Sequence, residues 1–487
     1  MNEILSQFSS RSRNAKRLHS RSYRGIYKVM KESKGLLLEG SELNTSTSIL
    51  RSKVIKLEQK QDFLTIFAQN DQYKGKRFFW KSPDGASVFA GIGICKMLQS
   101  NGMEQIYEEV EKEWQELLDG SEINNPFQTA GVGPMLFGGF SFDPKKTRTN
   151  LWDNFKDAHF YLPAIMFSEI DGEQYITVNQ YGNRNDLVDV IQACFEELEK
   201  SGDISTVNTH SNKLLDSKEI NGEQWKKMVT EVVQDLGQSL KKVVLARESR
   251  LVFEQDITTE AVLENLLNRQ KNSYVFALES GKDCFIGASP ERLVKKAGKQ
   301  VFSVCLAGSI ARGMNEEDDE SLGQELMNDP KNRVEHDYVV QMIRSAMEKV
   351  CSTFEIPNEP CLLKMRDIQH LFTPVTGTLL KSASVLSLIE LLHPTPALGG
   401  YPQALAIEKI REAEMLDRGL YGAPIGWLDY RGNGEFAVSI RSALIQKNEA
   451  SLFAGCGVVK DSDAEMEFKE TAIKFKPMLS ALGGQLG

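Results

Sequence analysis

The residues best suited to chemistry lie near the C-terminal end of this 487-residue chain. Glu467 and Glu470 are three positions apart and Lys474 follows four positions later, so on a helix the three side chains share one face. Two carboxylates beside an ammonium group can hold a hard divalent cation together with an anionic ligand. The same spacing is also typical of a solvated helix face with one ordinary ion pair, so it does not decide between the two.

The segment before this helix favours the first interpretation. Residues 451–459, SLFAGCGVV, are typical of a buried strand in which Gly455 and Gly457 leave backbone N–H groups open to a ligand. Residues 461–463, DSD, are good helix N-caps. The pattern therefore predicts a glycine-containing strand that leads directly into the helix with the two carboxylates.

Further charged or polar side chains occur within apolar stretches. Lys242 begins KVVLAR, Glu291 lies in SPERLV, and Arg441 lies between AVSI and SALI. An unpaired charge is costly to bury, so each is either a strand-end residue that faces solvent or part of a site. Glu335 lies in NRVEHDY, where an acidic residue at the start of a helix is favoured by the helix dipole even without a site. His370 precedes FTPV and fits a hydrogen-bonded position in the core as well as it fits a site.

Composition excludes several classes of protein. Lys and Arg number 58 against 67 Asp and Glu, so the net charge of −9 gives no sign of a nucleic-acid partner. The seven cysteines are scattered and form no C-x-x-C pair, which favours reduced thiols in a cytoplasmic protein and disfavours a zinc site. No apolar run approaches the roughly 18 residues that span a bilayer, so no membrane partner is expected.

The first 45 residues differ from the rest. Between residues 1 and 35 the chain carries nine Lys and Arg residues against only Glu3 and Glu32. A basic, serine-rich start resembles an organelle transit peptide, but an early acidic residue and the lack of a processing signal favour a basic, poorly ordered segment. We expect this segment to span residues 1–45.

The remaining chain predicts an α+β fold. Residues 46–210 read as strands separated by turns, with one helix at 106–118, and residues 201–221 are polar and turn-rich like a linker. Residues 222–487 alternate strands joined by short turns with blocks of helix, which indicates large antiparallel sheets rather than repeated βαβ units. The boundaries predict a β-rich half at 46–210 and a catalytic half at 222–487.

The second half resembles the chorismate-utilising enzyme family across most of residues 222–482. The resemblance rests on ten fragments in one order: KVVLAR, GASPERL, LAGSIARG, DPKNRVEH, HLFTPVTGTL, HPTPALGGYPQ, DRGLYGAPIGW, VSIRSALI, FAGCGVV and EFKETAIK. It implies two large antiparallel β-sheets packed together and flanked by helices. It also implies that the β-rich N-terminal half belongs to the same body.

The resemblance implies chorismate as the substrate and Mg²⁺ as the cofactor. Glu335 and Glu470 resemble direct magnesium ligands, and Glu467 resembles a residue that holds the ion through water. One departure is Asn332, which stands where an acidic residue is common in the family. The positions that resemble substrate contacts, around the ring or its enolpyruvyl carboxylate, are Gly308, His370, Tyr421, Arg441, Gly455, Gly457 and Lys474.

Two positions distinguish members of the family. Lys242 matches the lysine base of the hydroxylating members, where aminating members usually carry glutamine, and Glu291 matches the acid that protonates the departing hydroxyl. Ala397 stands where anthranilate and salicylate synthases tend to carry threonine. The combination implies an isochorismate-forming isomerase without a glutaminase subunit. The chain length and the long N-terminal half resemble the menaquinone branch, and we expect a monomer or weak dimer. A siderophore-branch enzyme, a salicylate synthase and an inactive chorismate-binding protein are the alternatives.

Overall fold

The structure is a computed structural model that describes residues 49–58, 60–102, 105–182, 212–364 and 368–483. The basic segment predicted at 1–45 lies outside these residues. Within them the chain forms a large β-sheet network against which helices pack.

The strands of the first part of the described chain are β1 (Leu50–Lys56), β2 (Arg77–Lys81), β3 (Ser87–Ser100), β4 (Glu122–Asn124), β5 (Met135–Phe140), β6 (Ala158–Ile170), β7 (Glu173–Tyr181), β8 (Leu214–Ile220), β9 (Lys242–Phe253), β10 (Tyr274–Ser280) and β11 (Asp283–Ser289). They are followed by β12 (Arg292–Ala297), β13 (Gln300–Ala311), β14 (Cys351–Glu355), β15 (Cys361–Lys364), β16 (Ile368–Leu379), β17 (Gly400–Tyr401), β18 (Pro424–Asp429), β19 (Gly434–Val438), β20 (Ser442–Gln446) and β21 (Glu449–Val458). Among these strands, the pairing of β1 with β4 is parallel and the other pairings are antiparallel.

The helices among the described residues are α1 (Phe63–Gln69), α2 (Ile106–Leu118), α3 (Gly222–Asp235), α4 (Thr259–Arg269), α5 (Glu316–Asn328), α6 (Pro330–Val350), α7 (Val385–Leu392), α8 (Gln403–Ala413) and α9 (Ala464–Ala481). The helix predicted at 106–118 is confirmed. The acidic segment before the long helix α6 is itself the helix α5, which begins after the cap Asn315 and carries four acidic residues in its first turn. Acidic side chains are favourable there because they face the positive end of the helix dipole.

Both predicted halves of the chain contribute to the same sheet network. Strand β2 pairs with β10, and β5 pairs with β18. The last part of the predicted linker is instead strand β8, which pairs with β9, while residues 183–211 lie outside the described chain. Most residues of β8 are exposed and polar, so the composition of this strand is like that of a linker.

The sheet folds back on itself so that two layers face each other. In the order of pairing β2–β3–β6–β5, the outer strands β2 and β5 are three positions apart. The rings of Phe78 in β2 and Phe137 in β5 nevertheless stack with centroids 4.3 Å apart. Three strand spacings of about 4.8 Å would separate these strands in a flat sheet, so the contact joins opposed layers. The predicted α+β fold with large packed antiparallel sheets is confirmed.

One predicted strand is interrupted at a residue of the site. EFAVSIRSALIQ was expected as a single strand, but it forms β19 and β20, and Arg441 between them has a φ of +52°. Strand β19 pairs with β12, whereas β20 pairs with β11 and β21. Apolar residues flank Arg441 and Ser442 on both sides, as they would in one buried strand, so the composition alone does not reveal the break.

Candidate active site

Strand β9 begins at Lys242, which is one of the most deeply buried charged residues, only 3% exposed. Its ammonium group is ion-paired with the carboxylate of Glu335, which lies in the second turn of α6. Burial alone would raise the pKa of Glu335, but the charge and hydrogen bond of Lys242 outweigh it and hold the pKa below its usual value. Gly457 lies against this pair, and a Cβ there would be 2.6 Å from Cε of Lys242.

Glu291 lies at the end of β11, in the turn before β12, and is 8% exposed. Burial raises the pKa of its carboxyl to about 7, against the opposing charges of Lys242 and Arg441. At this pKa about half of the carboxyl groups still carry the proton at neutral pH, the state that a general acid needs. Its backbone is fixed, since Val438 N–H donates to Glu291 O at 3.0 Å and Glu291 N–H donates to Ser289 Oγ at 3.2 Å.

Arg441 lies at the break between β19 and β20. The carbonyl of Arg441 accepts a hydrogen bond from Ala288 N–H at 3.0 Å, which fastens the break to β11. Burial lowers the pKa of its guanidinium, while nearby Tyr421 and Glu470 act in the opposite direction. Tyr421 is 3% exposed and burial raises its pKa to about 12, so its hydroxyl remains a donor.

His370 and Gly308 lie on the neighbouring strands β16 and β13. The ring nitrogen Nδ1 of His370 is 2.6 Å from Ser309 Oγ. Burial and the charge of Arg441 lower the pKa of His370 to about 4, so the ring is neutral. Gly308 has a φ of +82° at an irregularity in β13, a conformation that favours glycine, and a Cβ there would contact Asn332 at 3.2 Å. The side-chain amide of Asn332 donates to Asp329 Oδ2 at 2.5 Å. Asp329 is the N-cap of α6, so Asn332 takes part in the hydrogen bonds at the start of this helix.

Helix α9 carries the three charged residues from which the sequence argument began. Asp463 caps it as expected, accepting from Met466 N–H at 2.9 Å. Glu467 is 9% exposed and accepts a hydrogen bond from Ser462 Oγ at 2.7 Å. Glu470 is more exposed and is ion-paired with Lys474 at 2.7 Å. The expected helix face is present, and one of its carboxylates has a lysine partner on the same helix.

The glycine strand β21 is joined to this helix through a backbone group. Lys474 Nζ donates to Gly455 O at 2.8 Å. Since the N–H and C=O of one strand residue point to the same edge, the N–H groups of Gly455 and, two residues later, Gly457 point towards α9 as well. On this edge β20 pairs only as far as Leu452, so the N–H groups beyond it are not used by that strand.

Ala397 lies in the turn between α7 and β17. This turn is fastened to β9, because Val244 N–H donates to Gly399 O at 2.8 Å and Gly400 pairs with Val243. Ala397 is partly buried and packs at the edge of the main hydrophobic cluster. The turn is therefore next to the strand that begins with Lys242.

Sequence reasoning missed a buried ion pair behind the site. Arg418 and Glu414 are joined by two hydrogen bonds of 2.8 and 2.5 Å and are almost fully buried. Arg418 also donates to Val244 O at 2.7 Å and to Leu398 O at 3.0 Å, and Glu414 accepts from Ala246 N–H at 2.6 Å. The i, i+4 spacing in EMLDR was the available signal, but it is also common on exposed helices.

The predicted residues surround one region, but the carboxylates are not grouped as a metal centre. Among the described residues, no three or more His, Cys, Asp and Glu side chains are placed together to hold a metal ion. Carboxylate oxygens are the ligands that Mg²⁺ prefers, so the donor chemistry of Glu335, Glu467 and Glu470 fits this ion. In this structure Glu335 and Glu470 instead each hold a lysine.

A separate cavity of about 540 Å³ lies beside β9, lined by residues that include Asn221, Trp225 and Arg250. None of the predicted site residues lines it. The candidate site, with its charged side chains, is therefore separate from this cavity.

Comparison with known proteins settles the family. A family model described as chorismate binding enzyme matches residues 38–483. The chain belongs to the chorismate-binding enzyme family. The resemblance predicted from the ten fragments is thereby confirmed, and it extends into the N-terminal half.

Individual members of the chorismate-binding enzyme family are similar over almost the whole chain. The isochorismate synthase MenF of Bacillus subtilis is 42% identical over 461 residues, which cover 93% of this chain and 98% of that protein. The salicylate biosynthesis isochorismate synthase of Pseudomonas aeruginosa is 36% identical over 448 residues, 87% of this chain and 89% of that protein. The solved structure of MenF, the menaquinone-specific isochorismate synthase from Escherichia coli, has a TM-score of 0.77 at 23% identity. It covers 95% of this chain and 99% of that chain, and supports the fold.

Proposed function

We propose that this member of the family is an isochorismate synthase, an isomerase that converts chorismate to isochorismate. The observation that carries the proposal is the presence, in one buried region, of Lys242 and a Glu291 carboxyl whose pKa is about 7. Two similar proteins, at 42% and 36% identity over most of the chain, carry the name isochorismate synthase.

The reaction needs a base and an acid on two parts of one ring. In its neutral amine form, Lys242 takes a proton from a water molecule, whose oxygen forms a new bond to ring carbon C2. Glu291 gives its proton to the hydroxyl at C4, which leaves as water while the double bond moves. Water in and water out balance, so the product is an isomer of the substrate. The Glu291 pKa of about 7 supports its role, since the acid must hold its proton at working pH.

The substrate carries two carboxylates, and the site offers cations for both. Arg441, Tyr421 and the N–H groups of Gly455 and Gly457 bind the enolpyruvyl carboxylate, with the charge of Lys474 nearby. Guanidinium and backbone N–H donors suit a carboxylate because charge-assisted hydrogen bonds are the stronger ones. His370 and Gly308 line the ring, and the neutral state of His370 suits an uncharged ring face.

Glu335 and Glu470 would hold Mg²⁺ directly, and Glu467 would hold it through water. Once bound, the ion supplies positive charge that neutralises and orients the ring carboxylate. Ser462 holds Glu467 by a 2.7 Å hydrogen bond and so limits the directions in which this carboxylate can point.

We assign the enzyme to menaquinone synthesis, with a siderophore-branch enzyme as the competing assignment. Support comes from the MenF of B. subtilis, which matches over 98% of its own length. Ala397 disfavours a salicylate synthase and Lys242 disfavours an aminating enzyme with a glutaminase subunit. We also propose a cytoplasmic location, because the cysteines at 284, 305, 351, 361 and 456 are free thiols. None of the described helices is long and apolar enough to span a membrane.

Product identification tests the proposal. The protein is incubated with chorismate and Mg²⁺, with and without ammonium, and the products are separated by chromatography. We expect isochorismate in both reactions. An aminated product that forms only with ammonium would contradict the assignment of Lys242 as the base for water.

A further inference from the structure

The two carboxylates assigned to direct metal binding are both occupied by ammonium groups. Glu335 is ion-paired with Lys242, and Glu470 is ion-paired with Lys474 at 2.7 Å. Glu335 is also influenced by the charge of Lys474, so the two pairs belong to one electrostatic group. Two single positive charges therefore stand where one divalent ion is expected.

The pair of Lys242 and Glu335 is built into the fold. Lys242 is buried, and its side chain passes directly over Gly457, where any Cβ would be 2.6 Å from its Cε and 3.7 Å from Glu335 Oε1. The absence of a side chain at position 457 thus leaves the space that the ion pair fills. A buried ammonium without a partner would be costly, so Glu335 stabilises Lys242 while no other cation is present.

The second lysine is held from two sides. Lys474 Nζ contacts both Glu470 Oε1 at 2.7 Å and Gly455 O at 2.8 Å. Arg441 Nη1 donates to the carbonyl of Lys474 at 3.4 Å, which links this turn of α9 to the break between β19 and β20. Both side chains of the ion pair are partly exposed, so this pair is weaker than the first.

We propose that Lys242 and Lys474 act as resident cations that occupy Glu335 and Glu470 until Mg²⁺ binds and displaces them. This inference rests on the proposed function, because it takes these carboxylates as the metal ligands. A carboxylate that accepts the metal can no longer hold the ammonium group at the same oxygen atoms. Loading of the metal therefore also separates the Lys242 ammonium from Glu335, and the amine can act as the base only in the loaded site, once this ammonium has given its proton to solvent.

The test measures Mg²⁺ binding to the protein without substrate, by isothermal titration calorimetry at pH 8. Lys242→Met and Lys474→Met each remove one competing ammonium and retain the length of the side chain. We expect Mg²⁺ to bind about tenfold more tightly to Lys242→Met and about two- to fivefold more tightly to Lys474→Met, because the second pair is more exposed.

Lys331→Met is the matched control. Lys331 is exposed, lies one turn before Glu335 on α6, and adds to the positive potential at that carboxylate. Within the described residues it forms no ion pair with Glu335 that competes for the same oxygen atoms. We expect a change of less than about twofold, since an exposed charge is screened by salt. Equal tightening in all three variants, or no tightening in either of the first two, would overturn the proposal.

Thermal unfolding gives a second readout that does not need activity. In chelator, Lys242→Met should unfold at a lower temperature than the unaltered protein, and Mg²⁺ should raise its midpoint by more than that of the unaltered protein. If the single variants do not fold, Lys242→Gln and Lys474→Gln replace them. If the protein that carries both Lys242→Met and Lys474→Met still binds no Mg²⁺, the resident-cation proposal is overturned. Failure of the unaltered protein to form isochorismate overturns only the proposed function.

Discussion

Arg418 and Glu414 form a buried ion pair whose remaining hydrogen bonds join the strand that begins with Lys242 to the turn that contains Ala397. The pair touches neither proposed reacting group. It fixes the backbone on which two of the family's distinguishing positions lie. The geometry of the site thus depends on a charge pair outside it.

Glu414→Gln should destabilise the protein strongly. The change leaves the guanidinium of Arg418 buried without its carboxylate, which typically costs about 3–5 kcal/mol in the free energy of unfolding. Denaturant unfolding followed by fluorescence measures this loss. As a control, Glu408→Gln on the partly exposed face of α8 should change stability by less than about 0.5 kcal/mol. Comparable losses in both variants would contradict the bracing role.

The pH dependence of kcat/KM should report Glu291. Activity requires the protonated carboxyl, so kcat/KM should fall as pH rises above about 7, the pKa to which burial raises this group. Glu291→Gln should lower the rate by roughly 10²–10⁴-fold, and the remaining activity should lose this alkaline limb. A variant that keeps the same alkaline limb would assign that limb to a different group.

Gly457→Ala should impair turnover more than stability. The added methyl group would lie 2.6 Å from Cε of Lys242, so this flexible side chain must move away from Glu335. We expect kcat to fall by about tenfold or more while the protein remains folded by circular dichroism. Gly237→Ala is the matched control, because no atom lies within 4 Å of a Cβ there, and its kcat should be unchanged.

Mg²⁺ removal should abolish activity reversibly. Excess chelator should stop isochorismate formation, and added Mg²⁺ should restore it, because Glu335, Glu467 and Glu470 offer the oxygen ligands that this ion prefers. Glu470→Ala should mimic the chelator without loss of fold, since this side chain is half exposed. Full turnover in excess chelator would rule out the metal assignment.

Local features of the structure were accessible from the sequence. The cap at Asp463, the face shared by Glu470 and Lys474, and the helix at 106–118 depend on residues close in the chain, where spacing determines the geometry. The family resemblance supplied the rest of the site by matching fragments. Periodicity alone would not have brought Lys242 near Glu335, because 93 positions separate them.

Other features depend on the tertiary structure and were not predictable. The break at Arg441 interrupts a segment that has apolar residues on both sides, because β19 and β20 pair with different strands. Strand β8 is polar like a loop because most of its residues are exposed beside β9. The ion pair of Arg418 and Glu414 has a common spacing, and only its burial makes it important.

The most direct test of the central claim is a long incubation that starts from either side of the reaction. Exchange of a hydroxyl group around one ring changes few bonds, so the reaction should run in both directions. With Mg²⁺ present, chorismate and isochorismate should each yield the same mixture of the two compounds by chromatography, with little salicylate or pyruvate. Stoichiometric salicylate and pyruvate would contradict an isochorismate synthase and indicate a salicylate synthase.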